Sequence, residues 1–224
     1  MTILALEFSS AQRSVAVVRG RAGEAASVVS EAVETGAGGT MAFEMIHSAL
    51  REAKLEREQI EVLAIGLGPG SYTGIRVALS IAQGWQLASG HDRIKLLGVS
   101  SAECLAAQAQ AEQFRGRVSV VIDAQRNEFY LATYEISGSG WTEVEPLRIL
   151  TRAEVESRGS ANAMLIGPEV TRWFPGGRMI CPHAAMLGQL ALNRNDFAAG
   201  EKLAPIYLRE TNFVKAPPGR WTGL

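Results

Sequence analysis

The sequence has almost no net charge, which argues against a protein that binds nucleic acid unaided. Its 224 residues include 22 Lys and Arg and 23 Asp and Glu, so the formal net charge is −1. A protein that binds nucleic acid unaided normally presents a basic patch that displaces phosphate counterions. The Lys and Arg residues are scattered along this chain, which argues against independent tight binding of nucleic acid.

Cysteine pairs and long hydrophobic runs are also missing. Cys104 and Cys181 are far apart and form no Cys-x-x-Cys pair, so two reduced thiols are favoured over a disulfide. The first residues lack the basic start and long apolar stretch of a signal peptide. No run approaches the roughly 18 apolar residues that a membrane-spanning helix needs. These observations predict a cytoplasmic protein that does not enter a membrane.

Catalytic motifs are equally scarce. His47, His91 and His183 are isolated in the sequence and cannot supply adjacent metal ligands on one helix. No Gly-x-Ser-x-Gly nucleophile elbow occurs. Asp123 and Glu128 could form a pair of carboxylates, and a polar hairpin between two strands explains them equally well. The sequence therefore predicts no catalytic centre, no metal site and no cofactor.

The chain does contain two consecutive series of predicted strands and helices, and each series begins with three strands. Short apolar runs predict three strands over 2–8, 14–19 and 26–33, then a helix, a strand, a helix and a strand over 41–54, 61–67, 71–89 and 95–99. After a helix over 100–113, three strands follow again over 118–123, 128–136 and 141–150, and then a helix, a strand and a helix over 151–157, 164–166 and 184–192. This order suggests a duplicated α/β architecture, with a first lobe over 1–100, a smaller second lobe over 101–215 and a loose tail over 216–224.

Residues 66–74 form a glycine-rich loop between a predicted buried strand and a helix, where backbone N–H groups can converge on an anion. A phosphate-binding P-loop requires a lysine directly after its glycines, and this loop has none; the glycine spacing of a dinucleotide-binding loop fails as well. A tight strand-to-helix turn is the favoured interpretation, in which Gly68 and Gly70 adopt unusual backbone angles and Ser71 or Thr73 caps the helix. A residual nucleotide-binding role is the alternative.

The helix after this loop is apolar over more of its circumference than a surface helix requires. At about 100° per residue its apolar side chains cover an arc of roughly 220°, whereas an arc of about 100° is usual. One side can pack on the chain's own sheet, and the other needs a further element of the same domain or a second polypeptide. The small residues Ala78, Ala82 and Gly84 would let a neighbouring helix approach, and Trp85 would anchor it.

Several segments together match the sequence pattern of one protein family. The run from Gly68 to Arg76 (Gly-Pro-Gly-Ser-Tyr-Thr-Gly-Ile-Arg) is specific, and the segments at 3–9, 82–84, 98–101, 123–130 and 205–209 agree with it. This pattern resembles the TsaB family of bacterial tRNA threonylcarbamoyl-adenosine biosynthesis proteins over about residues 3–210. One departure is Glu7, because the first strand of the family usually ends in Asp.

The resemblance implies an actin/Hsp70/sugar-kinase-like (ASKHA) fold in two lobes, the second reduced. It also implies an accessory subunit that is not itself an enzyme. Such a subunit supports threonylcarbamoyl transfer to the adenosine beside the tRNA anticodon by binding a catalytic paralogue, TsaD, together with the ATPase TsaE. Contact with tRNA is expected only through that complex, and a homodimer is expected when the partner is absent.

The resemblance places the partner contact on the two helices of the first lobe, and both are rich in apolar residues here. The alternative from another class is a stand-alone enzyme of the same fold, a small-molecule kinase or a metallopeptidase. That enzyme would need a phosphate-binding Asp, a base and a metal site. The residues expected at the partner interface are Phe43, Ile46, His47, Leu50, Ile75, Ala78, Ile81, Ala82 and Trp85; the glycine turn comprises Gly68, Gly70, Ser71, Thr73 and Gly74.

Overall fold

Apolar runs in the first hundred residues build a five-stranded sheet. The computed structural model describes residues 1–36, 41–90, 93–159 and 163–209, so the predicted tail over 216–224 lies outside it. The strands are β1 (Thr2–Glu7), β2 (Gln12–Arg19), β3 (Ser27–Thr35), β4 (Val62–Gly66) and β5 (Lys95–Val99), in the order β3-β2-β1-β4-β5. β1, β2 and β3 are antiparallel neighbours, whereas β1, β4 and β5 run parallel. The central strands β1 and β4 are buried almost throughout, because both faces of the sheet are covered.

The second sheet repeats this topology. Its strands are β6 (Gly116–Asp123), β7 (Glu128–Ile136), β8 (Trp141–Thr151), β9 (Met164–Gly167) and β10 (Arg178–Met179), in the order β10-β9-β6-β7-β8. β6, β7 and β8 are antiparallel, and β6, β9 and β10 are parallel. In both sheets the fourth strand therefore pairs with the first, which confirms the predicted duplication.

Helices cover both faces of both sheets. α1 (Ala42–Glu52) and α2 (Tyr72–Ser89) lie on one face of the first sheet, and α6 (Ala184–Leu192) lies on its other face. α3 (Ser101–Ala111) packs on the inner face of the second sheet and also contacts α6. α4 (Arg152–Gly159) and α5 (Val170–Trp173) cover the outer face of the second sheet. Two short 3₁₀ turns occur at Arg57–Gln59 and Gly200–Lys202. None of the helices described is long and apolar enough to span a lipid bilayer.

The predicted extent of the second lobe, 101–215, is wrong in its last part. α6 packs against β1 and β2, and Ala198 pairs with Leu96 at the edge of the first sheet. The reason lies in the alternation of β1, whose residues Leu4 and Leu6 face α1 and α2 while Ile3 and Ala5 face the opposite side. Both faces of the sheet are apolar, so the C-terminal part of the chain returns to cover the second one.

Candidate functional site

The glycine-rich loop is folded tightly onto the turn that follows β1. Gly68 and Gly70 have positive φ angles of 83° and 147°, and the Gly68–Pro69 peptide bond is cis. The Ser71 amide donates a hydrogen bond to the Ser9 carbonyl at 2.7 Å. A side chain at Gly70 would meet that same carbonyl, since its Cβ would lie 2.1 Å from the oxygen. These contacts favour the tight-turn interpretation of the loop over an anion-binding one.

The start of α2 is fixed in the same way. Ser71 is the N-cap, because its Oγ accepts a hydrogen bond from the Gly74 amide at 3.3 Å. Thr73, the other candidate cap, lies exposed in the first turn. Gly74 sits against β1, where an added Cβ would come within 1.9 Å of the Phe8 carbonyl oxygen. The glycines of the loop therefore allow a close approach of backbone to backbone.

The acidic residue at the end of β1, Glu7, is fully buried. One carboxylate oxygen accepts a hydrogen bond from the Ser9 amide at 2.8 Å, and the other accepts one from the Ser101 hydroxyl at 2.9 Å. Burial raises the pKa of this carboxyl above its ordinary value, although the hydrogen bonds from Ser9 and Ser101 oppose the rise. One oxygen thus fixes the turn after β1, and the other joins β1 to the first residue of α3, at the junction between the lobes.

Other polar side chains at this junction also have internal partners. Gln108 of α3 donates to the Cys181 carbonyl at 2.9 Å and accepts from the His183 amide at 3.2 Å. Cys181 and His183 lie in the loop before α6, and His183 caps this helix through Nδ1, which accepts a hydrogen bond from the Met186 amide at 3.3 Å. Cys104 and Cys181 are free thiols. Within the ranges described, no three His, Cys, Asp or Glu side chains could together hold a metal ion; His91 lies outside those ranges.

The hairpin between β6 and β7 accounts for the two carboxylates considered as a pair. Asp123 accepts a hydrogen bond from the Gln125 amide at 2.7 Å, which fixes the turn. Glu128 forms an ion pair with Arg209 at 2.6 Å. The three turn residues 125–127 have positive φ angles of 64°, 59° and 62°. The Asp123 carboxylate therefore stabilises the hairpin, and the Glu128 carboxylate binds the C-terminal segment.

Five of the residues expected at a partner interface lie inside the chain's own core. They are less than 10% exposed and pack in one cluster with the first sheet: Ile46, Leu50, Ile75, Ala78 and Ala82. This part of the prediction is wrong, because these side chains pack onto the chain's own first sheet. Phe43 is 74% exposed, His47 is exposed, and Ile81 and Trp85 are half-buried.

Gln86 of α2 is polar and nevertheless buried. Its side-chain oxygen accepts from the Gly200 amide at 3.1 Å, and its nitrogen donates to the Ile94 carbonyl at 3.3 Å. Gln83, one turn earlier, donates to the Gly200 carbonyl at 2.8 Å. The C-terminal segment therefore covers one flank of α2.

The opposite flank of α2 remains accessible. At about 100° per residue, Ile81 and Trp85 lie roughly 160° around the helix from Gln83. Together with Val77 they are half-buried at the margin of the core cluster. We call Val77, Ile81 and Trp85, with the exposed Phe43 of α1, the open flank. It retains part of the apolar surface that the sequence predicted for a partner.

The duplicated five-stranded sheets, joined at a junction that holds the buried Glu7, define a two-lobed α/β protein of the actin/Hsp70/sugar-kinase class. Comparison with known proteins gives the family. The family model described as TsaD, tRNA N6-adenosine threonylcarbamoyltransferase, matches residues 41–166. The tRNA threonylcarbamoyladenosine biosynthesis protein TsaB of Haemophilus influenzae is 31% identical over 243 aligned positions, which cover 98% of each chain. The TsaB protein of Escherichia coli K12 is 29% identical over 195 positions, which cover 79% of this chain and 82% of that one.

Solved structures agree with these relatives. A Pseudomonas aeruginosa protein described as similar to the peptidase YeaZ has a TM-score of 0.76 at 26% identity, covering 93% of this chain and 99% of that one. YeaZ from Pseudomonas aeruginosa has a TM-score of 0.75, also at 26% identity, covering 92% and 99%. The chain belongs to the TsaB family, and the predicted ASKHA-like fold is confirmed.

Proposed function

We propose that this chain takes part in tRNA threonylcarbamoyladenosine biosynthesis as a non-catalytic subunit that binds a catalytic paralogue, TsaD. Family membership supports the pathway, since a relative named for this biosynthesis aligns with 98% of the chain. The ATPase TsaE is the expected third component. With a net charge of −1, the chain is expected to meet tRNA only through the assembled complex.

The geometry of the junction favours a subunit over an enzyme. In an enzyme of this fold, the carboxylate at the end of β1 would face phosphate or metal. Here Glu7 is fully buried and hydrogen-bonded to Ser9 and Ser101. The glycine turn is likewise packed against the Ser9 and Phe8 carbonyls rather than open to a phosphate. Both features hold the fold together.

The observation that carries the binding role is the open flank. Phe43 is 74% exposed, and Val77, Ile81 and Trp85 form a half-buried apolar row on the neighbouring helix. Large aromatic side chains in such positions are typical anchors of protein interfaces. Gly84, which is exposed beside this row, leaves room for a partner helix to approach. The same surface is expected to form a homodimer when TsaD is absent.

Co-purification with TsaD from the same organism tests this proposal. Ile81→Arg and Trp85→Glu should abolish a stable heterodimer, because each places a charge in the apolar contact. Ala82, one of the residues expected at the interface, is fully buried, so a charged residue there would disrupt the fold itself. Leu87→Arg is the matched control, since Leu87 is 69% exposed on the same helix but lies away from the open flank.

Two results would contradict the proposal. One is a heterodimer that survives Ile81→Arg and Trp85→Glu while all variants keep the thermal stability of the unmodified chain. The other is turnover of ATP or peptide by the purified chain that disappears in a Glu7→Gln variant. The second result would support the stand-alone enzyme instead.

A further inference from the structure

The chain passes between the two lobes at three places in the described residues. The first passage is the start of α3, after β5, and the second is the loop that leads from β10 to α6. The third is the segment 204–209, which runs from the glycine turn of the first lobe to the β6–β7 hairpin of the second. Each of the first two passages joins a helix or strand of one lobe to a helix or strand of the other. Within the described residues, the third reaches the second lobe through non-covalent contacts.

The first-lobe end of this segment is firmly docked. Leu203 packs against the core cluster beneath α2. The Ile206 amide donates a hydrogen bond to the Leu67 carbonyl at 2.9 Å, directly within the glycine turn. Tyr207 then stacks on Tyr72, the first residue of α2, with ring centroids 5.5 Å apart and planes inclined by 23°. Arg76 covers the Tyr72 ring, with its guanidinium carbon 5.0 Å from the centroid.

At the second-lobe end, Arg209 supplies the hydrogen bond and the ion pair described for the segment. Its Nη2 atom lies 2.6 Å from the Glu128 carboxylate and donates to the Ala124 carbonyl at 2.9 Å. Both acceptors belong to the hairpin whose turn residues 125–127 have positive φ angles. Arg209 and Glu128 are each about one-third exposed, at 35% of their side-chain surface. Water can therefore reach this contact, and its breaking leaves no deeply buried charge.

We propose that residues 204–209 form a releasable strap that holds the second lobe in a fixed orientation against α2, with the Arg209 contact to the β6–β7 hairpin as its latch. The Ile206 hydrogen bond, the Tyr72–Tyr207 stack and the Arg209 ion pair lie within four consecutive residues, so they form and break together. Tyr72, on which the strap stacks, lies on the same flank of α2 as Gln83, opposite the open flank. This inference concerns the chain alone and does not depend on the proposed function.

Hydrogen exchange on the isolated chain tests whether the strap acts as one unit. Arg209→Ala removes the latch at the second lobe, and the decisive probe is the Ile206 amide at the first lobe. If the strap detaches as a unit, exchange of Ile206 should accelerate about fivefold to thirtyfold, the ratio that a loss of one or two kcal/mol produces. The Ala124 and Glu128 amides, which are bonded within the hairpin, should accelerate as well.

The matched control is Arg148→Ala. It removes the same charge and breaks an exposed ion pair with Glu145, also at 2.6 Å, but that pair lies wholly within the second lobe. Exchange of Ile206 should not change in this variant. Glu128→Gln should reproduce the effect of Arg209→Ala. The proposal is wrong if the Ile206 amide exchanges at an unchanged rate in Arg209→Ala, or if its exchange accelerates equally in Arg148→Ala. The Arg209 contact would then be only a local surface ion pair.

Discussion

The two lobes share one strand order and differ in the helix between the fourth and fifth strands. In the first lobe α2 fills this position with 18 residues, whereas in the second lobe α5 has four. The first sheet also receives α6 from the C-terminal part of the chain. Among the described residues, the first lobe therefore presents a long helix with an accessible apolar flank, and the corresponding helix of the second lobe is a single turn. Two lobes of equal topology can thus expose different surfaces, and the proposed partner interface uses the lobe that has the long helix.

The ends of the first strands show a similar contrast. Glu7 and Asp123 each end the first strand of a sheet, and each accepts a hydrogen bond from the amide two residues later. Glu7 is fully buried and also binds Ser101, whereas Asp123 is partly exposed at the hairpin. The turn after Glu7 thus lies within the lobe junction, whereas the similar turn after Asp123 lies near the surface.

The largest expected effect concerns the glycines that end the fourth strands, Gly66 and Gly167. A Cβ at Gly167 would lie 1.9 Å from the Val121 carbonyl oxygen, and one at Gly66 would lie 2.2 Å from a Glu7 side-chain oxygen. Gly167→Ala should lower the free energy of unfolding by about 3 kcal/mol, because the Val121 carbonyl belongs to the backbone and cannot move away from the added methyl group as a side chain could. Gly66→Ala should cost about 2 kcal/mol, measured by urea denaturation of both variants.

The two lobes differ in how this clash can be relieved. Glu7→Ala should partly rescue Gly66→Ala, because the obstructing atoms belong to a side chain, and no side-chain truncation should rescue Gly167→Ala. Gly84→Ala is the control, since nothing lies within 4 Å of the added Cβ and alanine favours a helix by about 1 kcal/mol. Additive losses in the Glu7→Ala, Gly66→Ala double variant would show that the contact with Glu7 is not the cause.

The next largest effect is the pH dependence of stability that Glu7 causes through its two protonation states. Burial raises the pKa of Glu7 above the ordinary value of 4.5, so the folded chain holds this proton more tightly than the unfolded chain. The stability that the group contributes is therefore fully present below pH 4.5 and is lost as the pH rises through the raised pKa. Glu7→Gln cannot ionise and should flatten the fall in unfolding free energy above pH 4.5, measured by urea denaturation at a series of pH values.

Ser101→Ala sharpens this test because it acts in the opposite direction. Its hydroxyl stabilises the ionised carboxylate, and hydrogen bonds to charged groups contribute about 1.5–3 kcal/mol. The variant should lose about that much stability where Glu7 is ionised and less where it is protonated, so its pH dependence should be steeper. Identical pH profiles for Glu7→Gln, Ser101→Ala and the unmodified chain would refute the role of the buried carboxyl.

The sequence predicts the elements well because most of them are long and regularly patterned. The central strands are continuous apolar runs, and Ser71, one of the two candidate caps, begins α2 as predicted. The missed elements, α5 and β10, have four and two residues, too few to show any periodicity. Hydrophobic periodicity identifies a helix only when the segment is at least about two turns long.

The partner surface was harder to predict, because burial depends on elements that are distant in sequence. Ala78 and Ala82 were expected at an interface and lie in the core, and the polar side chain of Gln86 is buried, where it accepts a hydrogen bond from Gly200. A helical wheel assigns faces from the helix alone and contains no information on what packs against each face. The return of α6 to the first sheet and the latch at Arg209 are equally non-local.

The smallest expected effect compares how α2 and α5 begin. Ser71 caps α2 through its hydroxyl, so Ser71→Ala should lower the free energy of unfolding by about 1 kcal/mol. Glu169 precedes α5 without a side-chain hydrogen bond to the helix, so Glu169→Ala should change stability by less than about 0.5 kcal/mol. Ser71→Thr keeps the hydroxyl and should retain most of the stability, as thermal denaturation can check. An equal loss in Ser71→Ala and Glu169→Ala would mean that the cap contributes little, and that the contacts of Ser9 and Phe8 alone hold the start of the long helix against the first sheet.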